Sequence, residues 1–562
     1  MSARSVASTQ SDAAAILAEV SAERLAVDTA AVARTVRLSG TPDERPAFAY
    51  IADELAKMGL EPRTYECETY ISLPGAATCE VVAPDRLALP CITHSMARPT
   101  DGLEAELVDV GGASADDWRA KPAAGKIALI DGVASPGKVR AAERAGCFAQ
   151  VFVNDQRLHE MIVSGQYGSP TPQTVGDLPR SVCVSVTEES GQKLRALLAR
   201  GPVRLRLRTE VETRWRKIPL VVADLMPSRG DGTFVFWGTH VDSWHYGATD
   251  NAAGNAAELE IARVMARHRD ALRRGVRFLF WSGHSHGRYA GSCWYVDHFW
   301  QDLYDHAIAG MAIDSPGGRG ATDLGGSKTM DELKDVAAAA TTAVTSREVK
   351  TQRPKGGEQP LWRVGVSSIN PAHSRQRAGS PTSMGFESAS GYWHHSTEDT
   401  LENMDPEILR QDTRIYLHAT WTLATSEILP LDYAETARAL RAELAGLPES
   451  GIDLSEAIAL AARLEESAAS LRHGASADRV NDALRQIGRV LIPAIYTLRG
   501  QFEPDSTLEQ GYLPGLAGLK RLASLDPASD EAATLRTGLV RQRNRLVFAL
   551  RTAVEIAREG TQ

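Results

Sequence analysis

The chain has 562 residues, 43% hydrophobic and 24% charged, with a formal net charge of −9. Such a length exceeds one compact core, so two to four domains are expected. The acidic balance, without any Lys/Arg-rich run, argues against a nucleic-acid binder, and no apolar run approaches the roughly 18 residues of a membrane-spanning helix.

The opening MSARSVASTQSDAAAILAEV lacks the basic stretch, apolar core and cleavage site of a secretory signal. Six cysteines are scattered without a CxxC pair, as expected for buried free thiols in a reducing compartment. A cytoplasmic location is therefore expected. Next, DERPAFAYIADELAKMGLEPRTYE places Phe48, Ile51, Leu55 and Met58 at helical spacing before Gly59, predicting a helix that runs into a strand.

From 83 to 213 the texture turns β-rich. GKIALIDG, CFAQVFVND and SVCVSVT are separated by Gly/Pro turns and short helical patterns, predicting a small inserted module. From Ile218 buried-strand runs alternate with helices: TFVFWGTH, NAAGNAAELEIARVMARHR, GVRFLFWSG and HAIAGMAIDS. That alternation predicts an α/β fold, a mostly parallel sheet covered by helices on both faces. After Leu429 the chain reads as helical, with Leu454, Ile458, Ala461, Leu464, Ala468 and Leu471 forming one apolar stripe. The stripe suits a bundle that completes the core, or a dimerisation surface. The expected division is an α/β domain over 1–82 and 214–430, an insert over 83–213 and a helical domain over 431–562.

Parallel sheets bind ligands beyond the carboxyl ends of their strands, where His240, His284 and Asp314 fall. In GTHVDSWHYGATDNAAG, His240, Asp242 and Asp250 are a sensible set for zinc or another divalent ion. Asp242 is placed to orient the His240 ring by accepting its other N–H. The bland alternatives are a helix cap at Asp250 and an ordinary packed histidine. Asp314 at the end of AGMAIDS would be costly to bury without a partner, and YWHHSTEDT adds His394 and His395.

The ordered set HVDSWHYGATDNAAG, RFLFWSGHSHGRYAGS, AIDS and HHSTEDT resembles the co-catalytic zinc aminopeptidase family, in its glutamate carboxypeptidase II and transferrin receptor branch. The likeness runs over nearly the whole chain. It implies that 83–213 is a protease-associated domain, and that LPLDYAETARALRAEL opens a helical dimerisation domain, hence a homodimer. It also implies a divalent metal, zinc foremost, with manganese, iron, cobalt or nickel as alternatives, as one or two ions. The implied ligands are His240, Asp250 (bridging), Asp314 and His395. Glu358 and Gln359, in KGGEQPLWRVGVSS, match a substrate-contacting loop.

Two departures stand out. Where the family carries adjacent glutamates, a general base and a ligand, this chain has GHSHG. Counting from Arg277 puts His284 at the base position and Ser285 at the ligand position; counting back from Gly291 and Ser292 puts His286 at the ligand position. Both registers stay open. Second, His394 stands where the family has a tyrosine that supports the oxyanion. His245, Tyr246 and Glu387 are candidates to line the cleft, and His268, His298, His306, His373 and His473 read as surface or packing residues. The expected function is hydrolysis of an amide, peptide or related C–N bond, with His284, Asp242 and His394 assisting and His286 sharing the ligand role. The rivals are a binding dimer without turnover and a lyase or redox enzyme.

Overall fold

The structure, a computed structural model, describes residues 13–354, 359–377, 391–471, 476–509 and 511–561. Two N-terminal helices, α1 (Ala22–Val32) and α2 (Arg45–Lys57), bury one face each: Leu25, Thr29 and Val32 in the first, Phe48, Ile51 and Leu55 in the second. That spacing of three and four is why they fold as helices against a sheet.

Strands β1 (Arg63–Ala83) and β8 (Arg204–Leu225) form one long antiparallel ribbon, which organises a 12-stranded sheet. β1 runs along one edge of β8. The other edge pairs first with β4 (Thr100–Asp109) and then with β10 (Gly275–Trp281). Beyond β4, strands β5 (Ile127–Asp131), β6 (Ala149–Val153) and β7 (Val182–Val186) continue in parallel, and β3 (Cys91–Thr93) closes the edge antiparallel; β2 (Leu87–Leu89) pairs with β1. Beyond β10, strands β9 (Phe234–His240), β11 (Ala307–Ala312) and β12 (Ser367–Ser368) are parallel. The expected boundary between 213 and 214 thus falls inside an unbroken strand.

β9 and β10 are buried along their whole length, as their Val/Phe/Leu/Trp-rich runs require of a sheet covered on both faces. On one face α3 (Ala253–Arg267) and α5 (Pro406–Thr425) pack with α1; on the other lies α4 (Ala290–His298). Trp237 is fully buried and its indole N–H donates to Thr420 Oγ1 at 3.0 Å. Sequestering an indole of this size contributes about 4–6 kcal/mol. The insert keeps two cores of its own, one on each face of its strands.

The C-terminal part is helical: α6 (Tyr433–Ala445), α7 (Ser455–Ser470), α8 (Ala477–Tyr496) and α9 (Asp530–Glu559). Ala461, Leu464, Ala468 and Leu471 of the expected stripe are buried, and Leu454 and Ile458 pack at its edge. Buried Arg489 ties α8 to the α/β layer by donating to the carbonyls of Tyr304 at 2.6 Å and Gly365 at 2.8 Å. All six cysteines are free thiols. No helix among the described residues is long and apolar enough to cross a membrane.

Candidate metal centre

Strand register builds the centre. β9 pairs with β11 so that Gly238 lies beside Ala312, and two residues further on His240 and Asp314 come level on the same face. Trp281, the last residue of β10, lies beside His240, and the turn that follows carries His284. From His240 the chain loops back before α3. This loop passes through Gly247 at φ +55°, where a Cβ would sit 2.3 Å from the Asp250 carbonyl oxygen. Only glycine fits. Arg37, wholly buried beneath the loop, donates to the carbonyls of Val241 (2.7 Å), Tyr246 (2.6 Å) and Gly247 (3.1 Å).

Asp250 is not a helix cap. Its own N–H is taken by Asp399 Oδ2 at 2.9 Å, while Asp399 Oδ1 takes the Thr249 N–H at 2.9 Å. Asn251 bridges the ends of β9 and β11 by donating to Thr239 Oγ1 at 2.9 Å and to the Ile313 carbonyl at 3.0 Å. The Asp250 carboxylate is left facing two imidazoles from opposite sides. Its Oδ1 lies 3.2 Å from His240 Nε2, and its Oδ2 lies 3.2 Å from His395 Nε2. Asp314 Oδ1 is 3.4 Å from the same His240 nitrogen.

The tautomers follow from the other ring nitrogens. His240 Nδ1 meets the Asp242 carbonyl oxygen at 2.9 Å, and His395 Nδ1 meets the Glu160 carbonyl oxygen at 2.7 Å. Carbonyls only accept, so both Nδ1 atoms donate. In the neutral ring each Nε2 then carries a lone pair aimed at carboxylate oxygens. Acceptors facing acceptors repel unless a metal cation or an added proton lies between them. The spacing suits one: donors about 2.0–2.1 Å from a tetrahedral zinc ion stand roughly 3.3 Å apart. Two donor sets result, His240 with Asp314 and His284, and Asp250 with His394 and His395; within each set the ligating atoms lie within 4.8 Å of one another.

Electrostatics agree with a cation cradle. Burial alone would depress His240, but Asp250 and Asp314 outweigh it and hold the ring's proton affinity well above the imidazole range. Burial would raise Asp250, yet His240 and His395 hold it well below the carboxylate range. His284 stacks on His240 with centroids 3.8 Å apart, its Nε2 4.0 Å from Asp314 Oδ2. Burial, then the neighbouring His240, pushes it down to about 4, so it is neutral at pH 7.

Three sequence expectations change. Asp242 orients His240 through its backbone carbonyl, because its carboxylate is already engaged by the N–H groups of His284 (3.2 Å) and Ser285 (2.9 Å) and by Ser39 Oγ (2.7 Å). His286 joins neither donor set among the described residues. Its Nδ1 meets Ser39 Oγ at 2.9 Å, its ring packs on Trp244 at 4.4 Å, and its carbonyl is held by the Ser72 N–H of β1. His394, expected beside an oxyanion, stacks on His395 at 4.0 Å with Nδ1 3.8 Å from Asp250 Oδ2.

His245 lies close to His395 and His286 and is pushed down to about 4, first by burial and then by those rings. Tyr246 is exposed. Glu358, Glu387 and the Gln359 side chain lie outside the described residues. Sequence reading missed Arg37, Ser39, His159, Glu160 and Asp399. Only Asp399 stood inside a quoted motif; the others come from distant segments with no local signal.

Residues 221–420 match the family model of peptidase family M28. This stretch is similar to peptidase family M28. The matched stretch holds His240, Asp250, His284, Asp314, His394 and His395, while His159 and Glu160 reach it from outside. The chain is 23% identical over 362 residues to the probable glutamate carboxypeptidase VP8 of Zea mays, covering 52% of this chain and 50% of that protein. It thus spans about half the length of that relative. It is 24% identical over 404 residues to aminopeptidase YwaD of Bacillus subtilis (strain 168), covering 70% of this chain and 82% of that one. Among solved structures, BSAP, a zinc aminopeptidase from Bacillus subtilis, superposes with a TM-score of 0.54 at 19% identity, over 73% of this chain and 96% of that one. The likeness is to metal-dependent, aminopeptidase-like hydrolases.

Proposed function

We propose that the chain hydrolyses an amide or peptide C–N bond with a divalent metal, zinc foremost, held by His240, Asp250 and Asp314 in one subsite and by Asp250, His394 and His395 in the other. The observation that carries this reading is the Asp250 carboxylate, whose two oxygens each face a different imidazole nitrogen at 3.2 Å. A divalent cation in such a cradle supplies Lewis acidity, polarising a carbonyl and acidifying water. The side chains supply the rest. His284, neutral and stacked on His240, accepts a proton within the cleft and returns it to the departing amine. Asp242 fixes the backbone of the His284–Ser285 turn, which sets where that imidazole lies. His245 lines the cleft beside His395, and we assign Glu358 and Gln359 to the substrate side by resemblance alone.

The likeness to zinc aminopeptidases supports a short peptide as substrate, and the altered pair after β10 favours a specialised small-molecule amide among the alternatives. The test is a panel of aminoacyl-anilides, dipeptides and non-peptide amides, with zinc, manganese, cobalt and iron supplied in turn. Turnover of any member, abolished by His240→Ala, is expected. Near-zero metal in chelator-free protein, unchanged by His240→Ala, would favour a binding dimer instead; stoichiometric iron without hydrolysis would favour lyase or redox chemistry. We also propose a homodimer through the C-terminal helices, where Phe548 of α9 is 72% exposed. Its test is the solution mass of the protein and of Phe548→Asp.

A further inference from the structure

We propose that His159 and Glu160, in the loop after β6 of the inserted module, position the His394–His395 pair, so that the second donor set is assembled jointly by two parts of the chain. The proposal rests on the reading of Asp250, His394 and His395 as metal-holding.

Two adjacent residues do not naturally aim at one atom. Neighbours on a strand point to opposite faces, and neighbours on a helix diverge. Yet His394 Nδ1 and His395 Nε2 lie 3.8 Å and 3.2 Å from the same Asp250 Oδ2, with their rings stacked 4.0 Å apart. The chain manages this by turning at His395, which has φ +58°. Non-glycine residues persist in that region only when their surroundings hold them there.

Here the surroundings belong to the insert. The Glu160 N–H donates to the His395 carbonyl at 2.8 Å, and His395 Nδ1–H donates back to the Glu160 carbonyl at 2.7 Å. One residue earlier on both sides, His159 Nδ1–H donates to the His394 carbonyl at 2.7 Å. His159 is itself fixed: it is fully buried, its backbone N–H goes to Asn154 Oδ1 at 3.0 Å, and its Nε2 faces Asp155 Oδ1 at 3.1 Å. At the rim, Arg157 pairs with Glu398 at 2.9 Å and lies 4.3 Å over the Tyr392 ring, gripping both flanks of the histidine pair. His159 is therefore a positioning residue. It sets where His394 and His395 present their nitrogens without touching the reacting atoms.

The test is a titration of chelator-treated, full-length protein with Co2+, read by visible absorption and equilibrium dialysis. Wild type is expected to take two equivalents. His159→Ala is expected to bind the first as wild type does and the second about 10- to 100-fold more weakly. His159→Asn, which keeps an N–H donor at the Nδ1 place, is expected to restore the second. Arg157→Ala, a rim change that spares the buried side chain, should weaken the same equivalent to a smaller degree; it carries the test if His159→Ala does not fold. The proposal is overturned if His159→Ala titrates as wild type, if both equivalents weaken together, or if His159→Asn fails to rescue. Wild-type protein that takes up a single equivalent overturns this proposal and leaves the hydrolase reading standing. Wild-type protein that takes up none overturns the hydrolase reading first, and this proposal with it.

Discussion

At one end of the β1–β8 ribbon, strands β9, β10 and β11 run parallel and lead into His240, His284 and Asp314; at the other end, β5, β6 and β7 run parallel and lead into Asp131, Asn154 and Thr187. Both layers therefore place polar residues at the carboxyl ends of buried strands. In the insert those residues are mutually satisfied. Asp131 takes Arg195 at 2.5 Å, Asn154 donates to the Gly132 carbonyl and accepts from His159, and Thr187 accepts the Ser190 N–H of the helix that follows. In the stretch that matches the M28 model, imidazole nitrogens and carboxylates face one another at distances that a bound cation or a shared proton would reconcile. Position along a strand suggests a site, and the close approach of imidazoles and carboxylates is what sets the proposed one apart.

The hardest blow to that contrast is Asp250→Ala, which removes the carboxylate shared by the two proposed subsites. Activity should fall by about 1000-fold or more, as expected when several kcal/mol of Lewis-acid stabilisation is lost, and elemental analysis should show both ions depleted. His284→Gln should cost about 100- to 10,000-fold in kcat, the range for a general base; unchanged kcat would remove His284 from proton transfer.

A third prediction concerns acid lability in the insert. His94 of the insert is wholly buried, with Nε2 on Ser185 Oγ at 2.7 Å, and burial pushes it down to about 3. Below about pH 6.5 the unfolded chain gains a proton that the folded chain refuses until about pH 3. Stability should therefore fall with pH through that window, by about 1.4 kcal/mol per pH unit for this group. His94→Gln should flatten the fall by that amount in urea unfolding at pH 5 and 7. Smallest of all, Asp131→Asn breaks a half-exposed ion pair with Arg195 and should cost under about 1 kcal/mol, with kcat and metal content unchanged.

Much of this was legible in the sequence where one strand and its end carry the information. The runs ending at His240 and Asp314 announce both the parallel sheet and two donors, because burial on both faces leaves polar residues only beyond the strand. The choice between His284 and His286 was not legible. Both lie in one short turn, and side-chain direction there depends on Ser72 of β1, which holds the His286 backbone, and on Ser39, which occupies its ring. His159 and Glu160 were invisible for the same reason: their role exists only once a loop 235 residues away is folded against them.

The paired strands β1 and β8 run through both layers, with register shifts between Pro74 and Ala77 and between Val81 and Ala83. They consequently act as a ruler between the insert and the layer that carries the histidines. Removing one facing residue pair from the middle of the ribbon would draw the two layers together by about 3.4 Å, the rise of a single strand residue. It would also exchange the inward and outward faces of everything beyond the deletion. The grip of the Glu160 loop on His395 would not survive such a displacement, although no residue of either loop had been touched.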